Sequence, residues 1–275
     1  MLDRTAVAVT IPLLSVSVLR CYSQADQKRG SVVPNDKQWT APLIAIAVDL
    51  AVFTVLAGRF VVLLVERGIE PDLGSLALPG GFLSTVDEDL TRAAMRELTE
   101  ETGLDPGQVH LEQLATYGTP DRDPRQRVVT VCYLALTPTP GTPAAGGDAR
   151  HADWYPVEEI LAEPGQLAFD HAQILTDAVE RARSKLEYTT VATSFCGAEF
   201  TMSELRRVYE IVWGRSLDAR NFHRKVLAVP DFVRPTGAQT TRNGGRPAAL
   251  YRPGEAWLVQ IPILRARHEG ARDVH

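Results

Sequence analysis

The densest carboxylate chemistry in the chain lies in one stretch. It runs from Leu78-Pro79-Gly80-Gly81-Phe82 to Arg96-Glu97-Leu98-Thr99-Glu100-Glu101-Thr102-Gly103-Leu104. At about 100° per residue on a helix, Glu97 and Glu101 stand roughly 40° apart and Glu100 falls on the other side of Glu97, so all three share a face. Like charges placed so close repel unless a cation neutralises them. Carboxylate oxygens suit Mg²⁺ or Mn²⁺, with a phosphate filling the open positions. Arg96 can pair with one carboxylate and orient it. Gly80 and Gly81 allow the backbone to approach a ligand or turn sharply before the helix. Taken alone, the same three glutamates would also serve as a solvated acidic helix face.

A second constellation is basic. In Ala219 to Val229, Phe222, Val226 and Val229 fall on one helical face, Arg220 and Arg224 project from the other, and Asn221 and His223 flank them. Arg and Asn are suited to guanine and adenine edges in the major groove, and Lys225 can hold a phosphate. The segment Thr240-Thr241-Arg242-Asn243-Gly244-Gly245-Arg246 has the charge and flexibility to reach along a duplex backbone or minor groove. The plainer alternative is an amphipathic helix with a solvated basic face.

The elements that position these residues follow from periodicity. Apolar runs at Leu43 to Ala47, Ala51 to Leu56 and Phe60 to Val65 predict strands separated by turns, and Leu111 to Tyr117 and Val128 to Leu136 predict two more. Helices are expected at Glu88 to Thr102, closed by Gly103, at Val157 to Leu161 and at Asp170 to Leu186, with a loop at Thr137 to Gly147. Thr201-Met202-Ser203-Glu204 is a capping box opening a helix to about Val212. Asp218 caps the next helix, which Pro230 closes. A hairpin of Phe232 to Arg234 with Ala248 to Tyr251 is expected last.

Two domains fit 275 residues, and the charge supports dividing them near Glu187 to Ala192. From Tyr188 to His275 there are 13 Lys and Arg against 8 Asp and Glu, a surplus of +5, whereas the rest carries 16 against 26, a deficit of −10. A basic module on an acidic body is expected where one domain alone meets phosphate backbone. Cys21, Cys132 and Cys196 form no C-x-x-C pair, so neither a zinc site nor a disulfide framework is indicated. The apolar stretch Ala6 to Leu19 has no following cleavage site and is too short to span a bilayer. The expected organisation is therefore an N-terminal extension (1–38), an acidic domain (39–187) and a basic domain (188–275) of a cytoplasmic protein without membrane association.

The carboxylate stretch resembles the Nudix box, G-x5-E-x7-R-E-U-x-E-E-x-G-U, where U is a bulky apolar residue. Seven residues separate Glu88 from Arg96, and Leu98, Gly103 and Leu104 fall in place. Six residues separate Gly81 from Glu88, one more than in the box. The expectation is that this insertion displaces Glu88 or its loop. The basic domain resembles the C-terminal winged helix of the NrtR family of Nudix-related regulators in Phe200 to Leu205, Val208-Tyr209-Glu210, Arg220 to Lys225, Gly244 to Pro247 and Leu250 to Arg252. Arg122-Asp123-Pro124-Arg125 and Leu167-Ala168-Phe169-Asp170-His171 extend the likeness across residues 40 to 255.

The resemblance implies a Nudix-fold α/β/α sandwich with a mixed sheet, followed by a winged helix-turn-helix domain. It implies a homodimeric repressor of NAD biosynthesis or salvage genes, bound to palindromic operator DNA and released by ADP-ribose or a related nucleotide. Metal ligation and any residual hydrolysis would fall to Glu97, Glu100 and Glu101. Ligand contacts are expected from Gly80, Gly81, Arg96, Arg122, Arg125 and His171. His171 could instead cap a helix or satisfy a buried carbonyl. DNA contacts are expected from Arg220, Asn221, His223, Arg224, Lys225, Arg242 and Arg246. Two alternatives stand beside this reading: an ADP-ribose pyrophosphohydrolase with an appended domain, and a regulator of sugar catabolism relieved by a sugar.

Overall fold

The computed structural model describes residues 42–141, 143, 149–241, 247–259 and 262–265; Arg242, Arg246 and the extension 1–38 lie outside the described residues. Strand β1 (Ala45–Leu56) is a single strand, not two strands with a turn between them. Asp49, which interrupts the apolar pattern, is a strand residue 8% exposed. Along β1, Val48, Leu50 and Val52 pack to one side with Ala93, Ala94 and Leu98 of helix α1 (Leu90–Thr102). Ala51 and Phe53 pack to the other with Ile174, Leu175 and Ala178 of helix α3 (His171–Tyr188). The period of two thus sends alternate residues into two cores, which explains why the strand is apolar nearly throughout.

Strands β2 (Arg59–Arg67), β3 (Leu76–Ala77), β4 (Gly80–Phe82), β5 (His110–Tyr117), β6 (Val128–Leu136) and β7 (Ala149–Pro156) complete the first sheet. Its order is β3-β2-β1-β6-β5, with β4 added to β1 and β7 to β2. The β1–β6 pair is parallel and the others are antiparallel, so the sheet is mixed as expected. Ala57 and Gly58, at φ of 50° and 78°, close the β1–β2 hairpin as a two-residue turn. Beyond the hairpin the two strands part: β1 pairs with β4 through Ala47 to Asp49, while β2 pairs with β3 through Val65 and Glu66. That opening in the sheet is where the principal cavity forms.

Several boundaries differ from expectation. Asp89 caps α1 by accepting from the Thr91 and Arg92 amides, so Glu88 precedes the helix and is not its first residue. Gly80 and Gly81 belong to strand β4, not to a loop. Strand β7 had no clear sequence signal, since its exposed His151 and Asp153 suit an edge strand and dilute the apolar pattern.

Helix α2 (Val157–Ala162) follows β7, and the second module begins at β8 (Phe200–Thr201). Thr201 and Glu204 form the expected capping box of α4 (Met202–Trp213), which ends at left-handed Gly214 (φ 66°). Asp218 caps α5 (Ala219–Ala228) through the Asn221 amide. Strands β9 (Val233–Thr240) and β10 (Ala248–Pro253) form the wing, with sheet order β8-β10-β9. Strand β9 runs past the expected Arg234 because Pro235 is tolerated on an edge strand.

One apolar cluster continues from Phe53 and Ile174 through Phe195 to Tyr209 and Phe222, joining the sheet to the winged helix. Arg183 Nε donates to the Val212 carbonyl at 3.0 Å, and Trp213 Nε1 donates to the Arg183 carbonyl at 3.0 Å. Helix α3 is thereby fastened to α4. No described helix is long and apolar enough to cross a membrane.

Candidate functional site

The gap between β1–β4 and β2–β3 opens into a cavity of about 610 Å³. Gly80, Gly81, Glu97, Glu100, Glu101, Arg122, Arg125 and His171 all line it, so residues from four separated stretches of sequence converge. Arg96 does not line it. Its guanidinium stands behind the carboxylates, with Nε to Glu88 Oε1 at 2.9 Å, Nη1 to Glu97 Oε1 at 2.7 Å and Nη1 to Glu100 Oε2 at 3.3 Å. The extra residue before Glu88 does not prevent that carboxylate from pairing with Arg96. Ser84 donates to Glu88 from its amide and hydroxyl. The Arg96 pairing and the Ser84 amide hold the Glu88 pKa down at about 2.

The glycines are explained by close approach. A Cβ on Gly81 would stand 2.3 Å from Glu97 Oε1, and one on Gly80 would stand 2.3 Å from the Val48 carbonyl oxygen. Only hydrogen side chains let β4 lie against β1 and the α1 carboxylates together.

Burial differentiates the three glutamates. Glu97 and Glu101 are buried, whereas the Glu100 side chain is 56% exposed. Burial raises the Glu97 pKa against the pull of Arg96. Burial, reinforced by the neighbouring Glu97 charge, pushes Glu101 up to about 8. Glu101 Oε2 is buried without a hydrogen-bond partner. Such an orphaned oxygen beside a second carboxylate fits a divalent cation as its missing partner. Among the described residues, no group of three or more His, Cys, Asp and Glu side chains forms a ready-made metal cluster.

The opposite wall carries a buried ionic network. Arg122, with 5% of its side chain exposed, donates to Asp170 from Nε at 2.9 Å and from Nη2 at 2.7 Å. Its Nη2 also lies 3.4 Å from Asp49 Oδ2. Burial opposes the guanidinium charge, yet the Asp170 bond and the Asp49 charge raise its pKa. Arg125 is engaged with Asp123. His171 neither caps a helix nor satisfies a carbonyl: its Nδ1 accepts from the Leu78 amide at 2.9 Å, and Nε2 stands 3.8 Å from Asp49 Oδ1. Burial lowers its pKa despite Asp49 and Asp170, which favours the neutral imidazole.

Sequence reasoning missed Asp49, Arg67 and Asp123 as cavity residues. A carboxylate inside the apolar β1 run was the one signal available for Asp49. Phe169, at φ 53°, also lines the cavity, with the Arg67 guanidinium 4.6 Å and the Arg125 guanidinium 5.8 Å from its ring. This places a flat apolar surface beside cations and carboxylates, a combination suited to a ligand with both a ring and a diphosphate.

In the winged helix, Phe222, Val226 and Val229 are buried while Arg220, Asn221, His223 and Arg224 are exposed on α5. Arg224 Nη2 donates to Asn221 Oδ1 at 2.8 Å, which aligns the two side chains. Lys225 is half-buried.

Comparison with known proteins divides the chain between two family models: the NUDIX domain over residues 45–178 and the NrtR DNA-binding winged helix domain over residues 192–252. The chain is 37% identical over 212 residues to the ADPR responsive transcriptional repressor NtrR of Acinetobacter baylyi, covering 77% of this chain and 82% of that one. The crystal structure of Shewanella oneidensis NrtR complexed with a 27mer DNA matches at a TM-score of 0.69 and 34% identity, over 80% of this chain and 99% of that one. An ADP-ribose pyrophosphatase of Methanocaldococcus jannaschii is 39% identical over 116 residues, 42% of this chain and 64% of that one.

Proposed function

Since the chain belongs to the NrtR family of Nudix-related transcriptional regulators, we propose that it represses genes of NAD biosynthesis or salvage and leaves its operator when ADP-ribose, or a related NAD-derived nucleotide, fills the Nudix cavity. The observation that carries this reading is the likeness to an ADP-ribose-responsive repressor across both modules in the same order. The protein acts as a homodimer on a palindromic operator. Two α5 helices present Arg220, Asn221, His223 and Arg224 to successive major-groove faces about 34 Å apart. Lys225, Arg242 and Arg246 serve the phosphate backbone and minor groove.

In the sensor, Arg122 and Arg125 meet the diphosphate by exchanging their carboxylate partners for phosphate oxygens, and His171 and the β4 glycines shape the floor. Glu97, Glu100 and Glu101 would hold a Mg²⁺ or Mn²⁺ ion, which neutralises the diphosphate when bound and could activate a water. The switch requires that ligand bind one dimer geometry better than the other. Helix α3 supplies a connection. Its first residue, His171, is in the cavity, and Arg183 near its other end is bonded to α4. At about 1.5 Å per residue it spans roughly 27 Å.

The test is a gel shift on an operator selected from promoter fragments. Saturating ADP-ribose is expected to release a preformed complex, and undiminished occupancy would reject this inducer. Hydrolysis is the second reading, favoured by the intact Glu88–Arg96 pairing and the orphaned Glu101 oxygen. It predicts Mg²⁺-dependent ADP-ribose turnover that is lost in Glu101→Gln.

A further inference from the structure

A second cavity, of about 450 Å³, lies where the sensor sheet meets the winged helix. Its lining includes Arg59 at the start of β2, Arg183 of α3, Arg207 of α4 and Arg215 in the turn before α5, against Glu158 and Glu210. Arg59 is engaged by Glu158 at 2.9 Å and Glu159 at 2.6 Å. Glu210 is engaged too, accepting from the Leu217 amide at 2.8 Å with Arg206 at 3.6 Å. Arg183, Arg207 and Arg215 have no salt-bridge partner among the described residues. Arg183 uses Nε on the Val212 carbonyl. Burial and the nearby Arg265 charge work against its own charge, with Glu180 opposing them. The Arg207 guanidinium lies over the β1–β2 turn, since a Cβ on Gly58 would stand 3.1 Å from its Nη2. Three cations from two domains therefore face one concavity with no carboxylate bonded to them, since Glu158 and Glu210 of the same lining are held by Arg59, Arg206 and the Leu217 amide.

We propose that this cavity binds a phosphate dianion, free or carried as a phosphomonoester, between Arg183, Arg207 and Arg215. Guanidinium groups match phosphate oxygens in pairs, and an ion shared by three of them gains charge-assisted hydrogen bonds that water supplies less well. The cavity is large enough for more than inorganic phosphate. Because Arg59 and Glu158 of the sensor form one wall, the site suits a small anion, not a duplex. Its ligand joins α3 to α4 and restrains the winged helix relative to the sensor, so occupancy should also alter operator affinity.

The experiment is a calorimetric titration of the full-length, nucleotide-free protein with inorganic phosphate and, separately, AMP at constant ionic strength. The wild type is compared with the double variant Arg207→Ala/Arg215→Ala, whose side chains anchor no described hydrogen bond. Saturable binding of either probe, weakened at least tenfold in the variant, is expected. Phosphate alone identifies a free ion as the ligand, and AMP alone or more tightly identifies a phosphomonoester. Absence of saturable binding, or binding unchanged in the variant and therefore seated elsewhere, overturns the proposal. So does a variant that binds both probes normally yet loses operator affinity with a shallower salt dependence, because the arginines would then serve the duplex. None of these outcomes depends on whether ADP-ribose is the inducer.

Discussion

Replacing Arg122 with Met tests the buried ionic network in the wall of the sensor cavity. The substitution keeps most of the side chain's bulk and removes a guanidinium with three polar contacts, two to Asp170 at 2.9 and 2.7 Å and one to Asp49 at 3.4 Å. Since only 5% of the Arg122 side chain, 11% of that of Asp49 and 22% of that of Asp170 are exposed, water replaces the lost partner poorly. Breaking a buried pair by removing one member costs about 3–5 kcal/mol, because the remaining charge is left uncompensated. For a chain of this size each kcal/mol moves Tm by about 2–4 °C, so a fall of roughly 6 to 20 °C is expected. Urea unfolding at pH 7 measures the loss directly. Adding Asp170→Asn removes one stranded charge and should restore about 1 kcal/mol or more of the deficit, the size of coupling found for residues in one network. A loss below about 1 kcal/mol, or a double variant no better than the single one, would refute the assignment of this network as a buried, interdependent charge set.

Gly81→Ala puts a methyl 2.3 Å from Glu97 Oε1. It should cost about 1–3 kcal/mol by overpacking and weaken ADP-ribose binding measured by calorimetry. Thr201→Ala removes one half of the α4 capping box and should cost about 1 kcal/mol in thermal unfolding, with Thr201→Ser nearly neutral. Arg224→Ala should weaken specific operator binding by about 1–3 kcal/mol in gel shifts if the guanidinium reads a base edge, while leaving ADP-ribose binding unchanged. Burial presses the Glu112 pKa up, but hydrogen bonds from His110 and Lys185 overcome it and hold the carboxylate at about 2, below the ordinary 4.5. A depressed folded pKa stabilises above the unfolded value and is lost on acidification. The advantage of wild type over Glu112→Gln, on the order of 3 kcal/mol, should therefore shrink between pH 4.5 and 2 in acid unfolding.

Much of this architecture was legible because the relevant physics is local. The spacing of Glu97, Glu100 and Glu101, the Thr201–Glu204 capping box, the Asp218 cap and the apolar face of α5 each depend on residues within a turn or two of one another. The elements misread were those whose local pattern conflicts with their place in the sheet. Asp49 looked like a break in β1 and Pro235 like the end of β9, and charged β7 carried no strand signal. Each is resolved by a neighbour distant in sequence: Arg122 for Asp49, the free edge for Pro235, and the β2 ladder for β7.

Side-chain order along the chain was therefore enough to specify the acidic helix, the basic helix and the division of charge between them. It did not reveal that Asp49, Arg122, Asp170 and His171 form one buried network, nor that Arg183, Arg207 and Arg215 face a common cavity. In the network Arg122 lies 48 positions from Asp170 and 73 from Asp49, and such proximity is set by how strands part and helices pack, not by any period in the sequence. A guanidinium's partner depends on which carboxylate shares its low-dielectric surroundings, and only the folded chain makes that choice.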